Sequence, residues 1–92
     1  MAYKVFYTET AERDLEQLDK YVVVRILKKI NDYCGLENPL VKAKKLKNFR
    51  IATYRFRIGD YRAIFRVDPC TNKLVILVIL RVLHRKEIYE KI

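Results

Sequence analysis

Arg55, Arg57, Arg62 and Arg66 recur through the stretch Tyr54–Val67, interleaved with large apolar residues on either side of Gly59-Asp60. The arms read Tyr-Arg-Phe-Arg-Ile and Tyr-Arg-Ala-Ile-Phe-Arg-Val, the period of a half-buried strand. Gly-Asp between them fits a two-residue hairpin loop, with Gly59 free to take a positive φ. That loop sets Ile58 against Tyr61, Arg57 against Arg62, Phe56 against Ala63, Arg55 against Ile64 and Tyr54 against Phe65. The apolar residues then share one face, and the four arginines share the other with Ile64. Like charges directly opposed across a sheet cost up to about 1 kcal/mol. Folding alone gives no reason to oppose Arg57 and Arg62, whereas a polyanion lying across that face would. A solvated face that happens to use arginine is the plain alternative.

A second group of chemically capable residues closes the chain: Arg81, then His84-Arg85, then Tyr89. In a helical tail Arg85 and Tyr89 would lie on one side. A meander of three antiparallel strands would bring His84, Arg85 and Tyr89 to the edge of the arginine face. Between these groups and the N-terminal half runs a basic connector, residues 40–53, with Lys42, Lys44, Lys45, Lys47 and Arg50, anchored by Leu46 and Phe49.

The elements that must position these groups follow from pattern. Tyr3 to Tyr7 reads as a first strand. Thr8 fits a helix N-cap with Glu9 and Glu12 in the first turn. Leu15, Leu18, Val22, Ile26, Ile30 and Tyr33 form one apolar stripe at helical spacing, broken at Asp19-Lys20 into a short helix and a longer one. Gly35 and Asn38-Pro39 end it. Asp68 to Asn72 has turn composition, and Lys73 to Val82 is a last strand, apolar on both faces and therefore central. Leu83 to Ile92 reads as a terminal helical turn or two. The expected fold is α+β, in the order β-α-α-β-β-β-(α): one domain over residues 1–92, with two helices on one face of an antiparallel meander and an open basic face.

Composition narrows the partners. The 92 residues carry 20 Lys and Arg against 11 Asp and Glu, a net charge of +9. The excess is lopsided: residues 1–41 sum to −1 and residues 42–92 to +10. The back half thus faces a polyanion, nucleic acid first and an acidic protein second. No apolar signal region and no run long enough to span a membrane is present, which points to the cytoplasm. Cys34 and Cys70 have no metal-type spacing, so neither a zinc site nor any other cofactor is expected. They read as free thiols, with a Cys34–Cys70 disulfide as the alternative.

The stretches Tyr54-Arg-Phe-Arg-Ile-Gly-Asp-Tyr-Arg-Ala-Ile-Phe65 and Leu80-Arg-Val-Leu-His-Arg-Lys-Glu-Ile-Tyr89 resemble the RelE branch of the RelE/ParE toxins of toxin–antitoxin pairs. The resemblance covers nearly the whole chain. It implies a compact α+β toxin that cleaves mRNA in the ribosomal A site, and a co-expressed acidic, RelB-like antitoxin. It places the basic pair of the first hairpin strand at Arg55 and Arg57, the motif arginine at Arg62, the late arginine at Arg85 and the terminal tyrosine at Tyr89. Leu83 stands where the family often has glycine. Some members carry lysines at the positions of Arg55 and Arg57, and arginine, unlike lysine, does not give up its proton at working pH.

Such a nuclease needs no metal. The 2′-hydroxyl attacks the adjacent phosphate, and preorganised cations hold it in line and stabilise the extra negative charge. The expected assignment gives transition-state charge to Arg62 and Arg85. Arg57 joins them and shares the phosphate path with Arg55, Lys45, Lys47, Arg66 and Arg81. Tyr89 would stack on a base or orient the 2′-hydroxyl. His84 is the candidate acid or base, histidine being the side chain that titrates near neutrality. The rival readings are a ParE-like gyrase inhibitor and a non-catalytic module for RNA or an acidic protein.

Overall fold

The computed structural model describes residues 2–46, 53–69 and 74–88. Strand β1 (Ala2–Tyr7) leads into helix α1 (Glu9–Glu16), helix α2 (Lys20–Cys34) and a 3₁₀ turn (Pro39–Lys42). Strands β2 (Ala43–Leu46), β3 (Thr53–Ile58), β4 (Tyr61–Pro69) and β5 (Leu74–His84) follow. Among the described residues these form one sheet in the order β1-β5-β4-β3-β2.

The caps fall where the side chains dictate. Thr8 Oγ1 accepts from the Ala11 amide, and Asp19 Oδ1 accepts from the Tyr21 amide, so each helix starts on a satisfied donor. The apolar stripe of the two helices then lies on one face of the sheet. Ala11, Ile26 and Ile30 bury against Phe56, Ile58, Ala63, Phe65, Leu77, Ile79 and Val82. An aromatic run ties α2 to the hairpin: Tyr33 to Phe56 (4.8 Å), Phe56 to Phe65 (4.4 Å) and Phe65 to Tyr54 (5.7 Å between centroids). Each such contact adds about 0.5–1.5 kcal/mol beyond area burial. Cys34 is a free thiol at the end of α2, its pKa pushed up to about 11 by burial. Cys70 lies outside the described residues.

The hairpin has the expected register, with Arg57 opposite Arg62 and Gly59 at φ 60° in the loop. Three features differ from the sequence reading. First, β1 pairs parallel with β5, so the meander gains a parallel edge strand. Second, part of the connector is a strand: Ala43–Leu46 pairs antiparallel with β3 and forms the other edge. Ala-Lys-Lys-Leu has little intrinsic strand preference; Ala43 earns its place by packing on the core opposite Phe56. Third, β5 runs on to His84 and residues 85–88 form turns; the rest of the expected terminal helix, residues 89–92, lies outside the described residues.

Strand β5 also carries a bulge. Ile64 pairs with Arg81 but Phe65 pairs with Ile79, leaving Leu80 extra. Helix α1 holds this irregularity in place. Thr8 Oγ1 donates to the Leu80 carbonyl (3.0 Å), and the Asp14 carboxylate accepts from the Val82 amide (2.9 Å). Asp14 also takes both arms of the Arg81 guanidinium, at 2.8 and 3.0 Å. The consequence is a change of parity along the strand. Ile79 and Val82 both face the helices, while Leu80 and Leu83 face away and join Ile64 and Ile88 in a small second cluster. Among the described residues no helix is long and apolar enough to cross a membrane.

Candidate functional site: a cationic basin at the hairpin end

The bulge decides which tail residue reaches the arginine face. Unbroken alternation from Leu77 and Ile79 would turn His84 toward that face. With one residue inserted, Val82 and His84 face the helices' side, and Leu83 stands opposite Arg62. His84 accordingly pairs across from Tyr61 and meets its ring edge-on at 5.4 Å between centroids. Its Nδ1 accepts from the Lys86 amide (3.2 Å), closing the turn after β5. His84 therefore sits behind the basin, not in it.

Arg85 reaches it. The Arg85 amide donates to the Asp60 carbonyl at 2.7 Å, and its Nε lies 3.7 Å from the Asp60 carboxylate. Arg62 is anchored on the same hairpin loop: its guanidinium donates to the carbonyls of Gly59 (2.9 Å) and Tyr61 (2.8 Å). The loop thus holds one arginine from within and another from the end of the neighbouring strand. The pKa of Arg62 is lowered, first by burial and then by repulsion from Arg57, Arg55 and Arg85, with Asp60 opposing. Four guanidinium groups therefore share one field around Arg62. Concentrated like charge, fixed by hydrogen bonds to carbonyls, is an arrangement suited to binding an anion.

An open depression of about 330 Å³ adjoins these residues, lined by Val41, Lys42, Ala43, Lys44, Arg55, Arg57 and Arg62. Lys44 stands opposite Arg55, on the arginine face, and Lys45 opposite Tyr54, on the other. Lys45, expected on the phosphate path, is turned away by register; Lys44 and Lys42 are the lysines that line the depression. The signal that could have found them is the parity of a β2 strand, legible only once its pairing is known.

Two further expected residues are engaged elsewhere. Arg81 is bound to Asp14 on α1, which raises its pKa through hydrogen bonding and charge. Arg66 pairs with Asp68, its Nε 3.1 Å from Oδ1, and is separated from Arg62 on β4 by buried Ile64. Lys47 and Tyr89 lie outside the described residues. Among the described residues no group of His, Cys, Asp and Glu is placed to hold a metal.

Comparison with known proteins agrees with this architecture. The family described as ParE toxin of type II toxin-antitoxin system, parDE, matches residues 5–89. The chain is 34% identical over 91 residues to Toxin RelG of Mycobacterium tuberculosis, covering 99% of this chain and all of that one. It is also 34% identical to Toxin RelE3 of Methanocaldococcus jannaschii, covering 95% of this chain and 96% of that one. Among solved structures it resembles the toxin–antitoxin complex RelBE2 of M. tuberculosis, with a TM-score of 0.73 and 31% identity, covering 92% of this chain and 100% of that one. The RelB–RelE antitoxin–toxin complex of Methanococcus jannaschii matches with a TM-score of 0.64 and 29% identity over 95% of this chain and 98% of that one. The chain belongs to the RelE/ParE family of toxins of type II toxin–antitoxin systems.

Proposed function

We propose that this toxin is a ribosome-dependent endoribonuclease that cleaves mRNA in the A site and thereby stops translation. The observation that carries the proposal is the convergence of Arg57, Arg62 and Arg85 on the hairpin loop, with Arg62 pressed by its neighbours' charge. In the proposed reaction the 2′-hydroxyl loses its proton and its oxygen attacks the adjacent phosphorus. The bond to the 5′-oxygen breaks and that oxygen takes up a proton, leaving a 2′,3′-cyclic phosphate and a 5′-hydroxyl. Arg62 and Arg85 stabilise the phosphorane's added negative charge, and Arg55 and Arg57 guide the phosphates in. Cations held in place before the reaction need no reorganisation as charge develops. Tyr89 is proposed to stack on a base or to orient the 2′-hydroxyl. His84, behind the basin, is proposed as a positioning residue for the turn that carries Arg85. The 2′-hydroxyl proton passes to, and the 5′-oxygen takes its proton from, groups of the ribosome-bound message or water around it. The proposed partners are the ribosome, its mRNA and an acidic antitoxin of the RelB kind, as in the complexes it resembles.

The test is translation in vitro with primer extension on the message, alongside ribosome cosedimentation. Arg62→Ala and Arg85→Ala should each lower cleavage by about 10²–10³-fold, the scale for losing one transition-state donor, with ribosome binding kept. Cleavage at the wild-type rate in both variants would refute the assignment. The family description as ParE toxin favours one second reading, a docking surface for gyrase. Inhibition of gyrase supercoiling without message cleavage would establish it instead.

A further inference from the structure

We infer that Lys44, on the edge strand β2, forms with Arg55 a second phosphate-binding row, one nucleotide along single-stranded RNA from the reacting phosphate. The inference rests on the nuclease reading and extends it to the substrate's path. Cations on the arginine face stand in rows set by strand register. Arg57 opposes Arg62 across β3 and β4, and Lys44 opposes Arg55 across β2 and β3. The rows are two residues apart along β3, about 7 Å at a strand's rise per residue. Cross-strand partners stand about 5 Å apart, so each row offers two cations to one phosphate. Both rows open on the same depression, which Lys42 also lines.

The occupant is a chain of anions at regular short intervals, with Val41 as an apolar surface beside it. Val41 is 70% exposed and lines the depression next to Lys42. A base attached to the second phosphate would lie against it. An acidic peptide would match the charge, but its carboxylates do not recur at the fixed short interval that the two rows present.

Lys45 supplies an internal control. It is adjacent to Lys44, carries the same charge and is also exposed, but register puts it opposite Tyr54, on the other face. The probe is a five-nucleotide RNA, 2′-O-methylated throughout so that it binds without being cut, titrated over a range of salt concentrations. For wild type, log K falls linearly with log salt, by about 0.7 per phosphate neutralised on a single strand. Lys44→Ala should weaken binding and reduce that slope by about 0.7, as should Arg55→Ala, while Lys45→Ala should leave both unchanged. Equal effects of Lys44→Ala and Lys45→Ala, or no effect of Lys44→Ala where Arg57→Ala still lowers the slope, would overturn the second row alone. Failure of the wild-type protein to bind the RNA at all would overturn the second row, whereas the ribosome-dependent reading beneath it stands or falls with the Arg62→Ala and Arg85→Ala cleavage assay.

Discussion

At the scale of the residue, the same chemistry at neighbouring positions has opposite fates. Lys44 and Lys45 differ only in parity, and parity likewise parts His84 from Arg85. The types were legible in the sequence; the face was legible only where a turn fixed the register. Gly59-Asp60 did so for Arg55, Arg57 and Arg62, and every expected partner across that hairpin is found. Nothing comparable fixed His84, and its placement follows from an unread bulge. If His84 acts by holding the turn, what it must supply is an acceptor for the Lys86 amide. His84→Asn, which keeps an acceptor, should retain most of the cleavage that His84→Ala loses. A general acid or base is expected to contribute about 10²–10⁴-fold, so loss on that scale in both variants, with a changed pH–rate profile, would place His84 in the chemistry after all.

At the scale of the element, the decisive contact is α1 against β5. An apolar run such as Leu74–Leu80 gives no sign of a bulge, because both faces read alike. The signal was in α1: Asp14 is a carboxylate beside the helix's buried Ala11, and it accepts from the Val82 amide and from Arg81 at once. Thr8 completes the clamp on Leu80. Hydrogen bonds to charged groups contribute about 1.5–3 kcal/mol. Asp14→Ala removes the carboxylate and leaves Arg81 and the Val82 amide without it. Urea denaturation should show a loss of about 2–3 kcal/mol. The same substitution should lower cleavage in the fraction that remains folded, because the bulge sets the face on which Arg85 emerges. Full stability, or lost stability with full cleavage per folded molecule, would separate the clamp from the site.

At the scale of the whole molecule, charge and fold divide along the same line. The near-neutral first half supplies the helices that cover one face, and the strongly basic second half supplies the strands whose other face carries the arginines, with an open depression beside Arg55, Arg57 and Arg62. That division was visible in composition. The parallel pairing of β1 was not, because a short strand such as Tyr3–Tyr7 carries no mark of its partner. The division also dictates how an acidic antitoxin would approach. An oppositely charged partner is steered to the basic face, so association should be fast at low salt and slow steeply as ionic strength rises. If the partner covers the basin, Arg57→Ala and Arg62→Ala should each slow association and speed dissociation, the latter because charge pairs buried in a complex govern its lifetime. Arginine-directed chemical labelling should then reach Arg57 in the free toxin and spare it in the complex. Unchanged rates in both variants, with Arg57 labelled equally in toxin and complex, would put the antitoxin on the helical face and make neutralisation indirect.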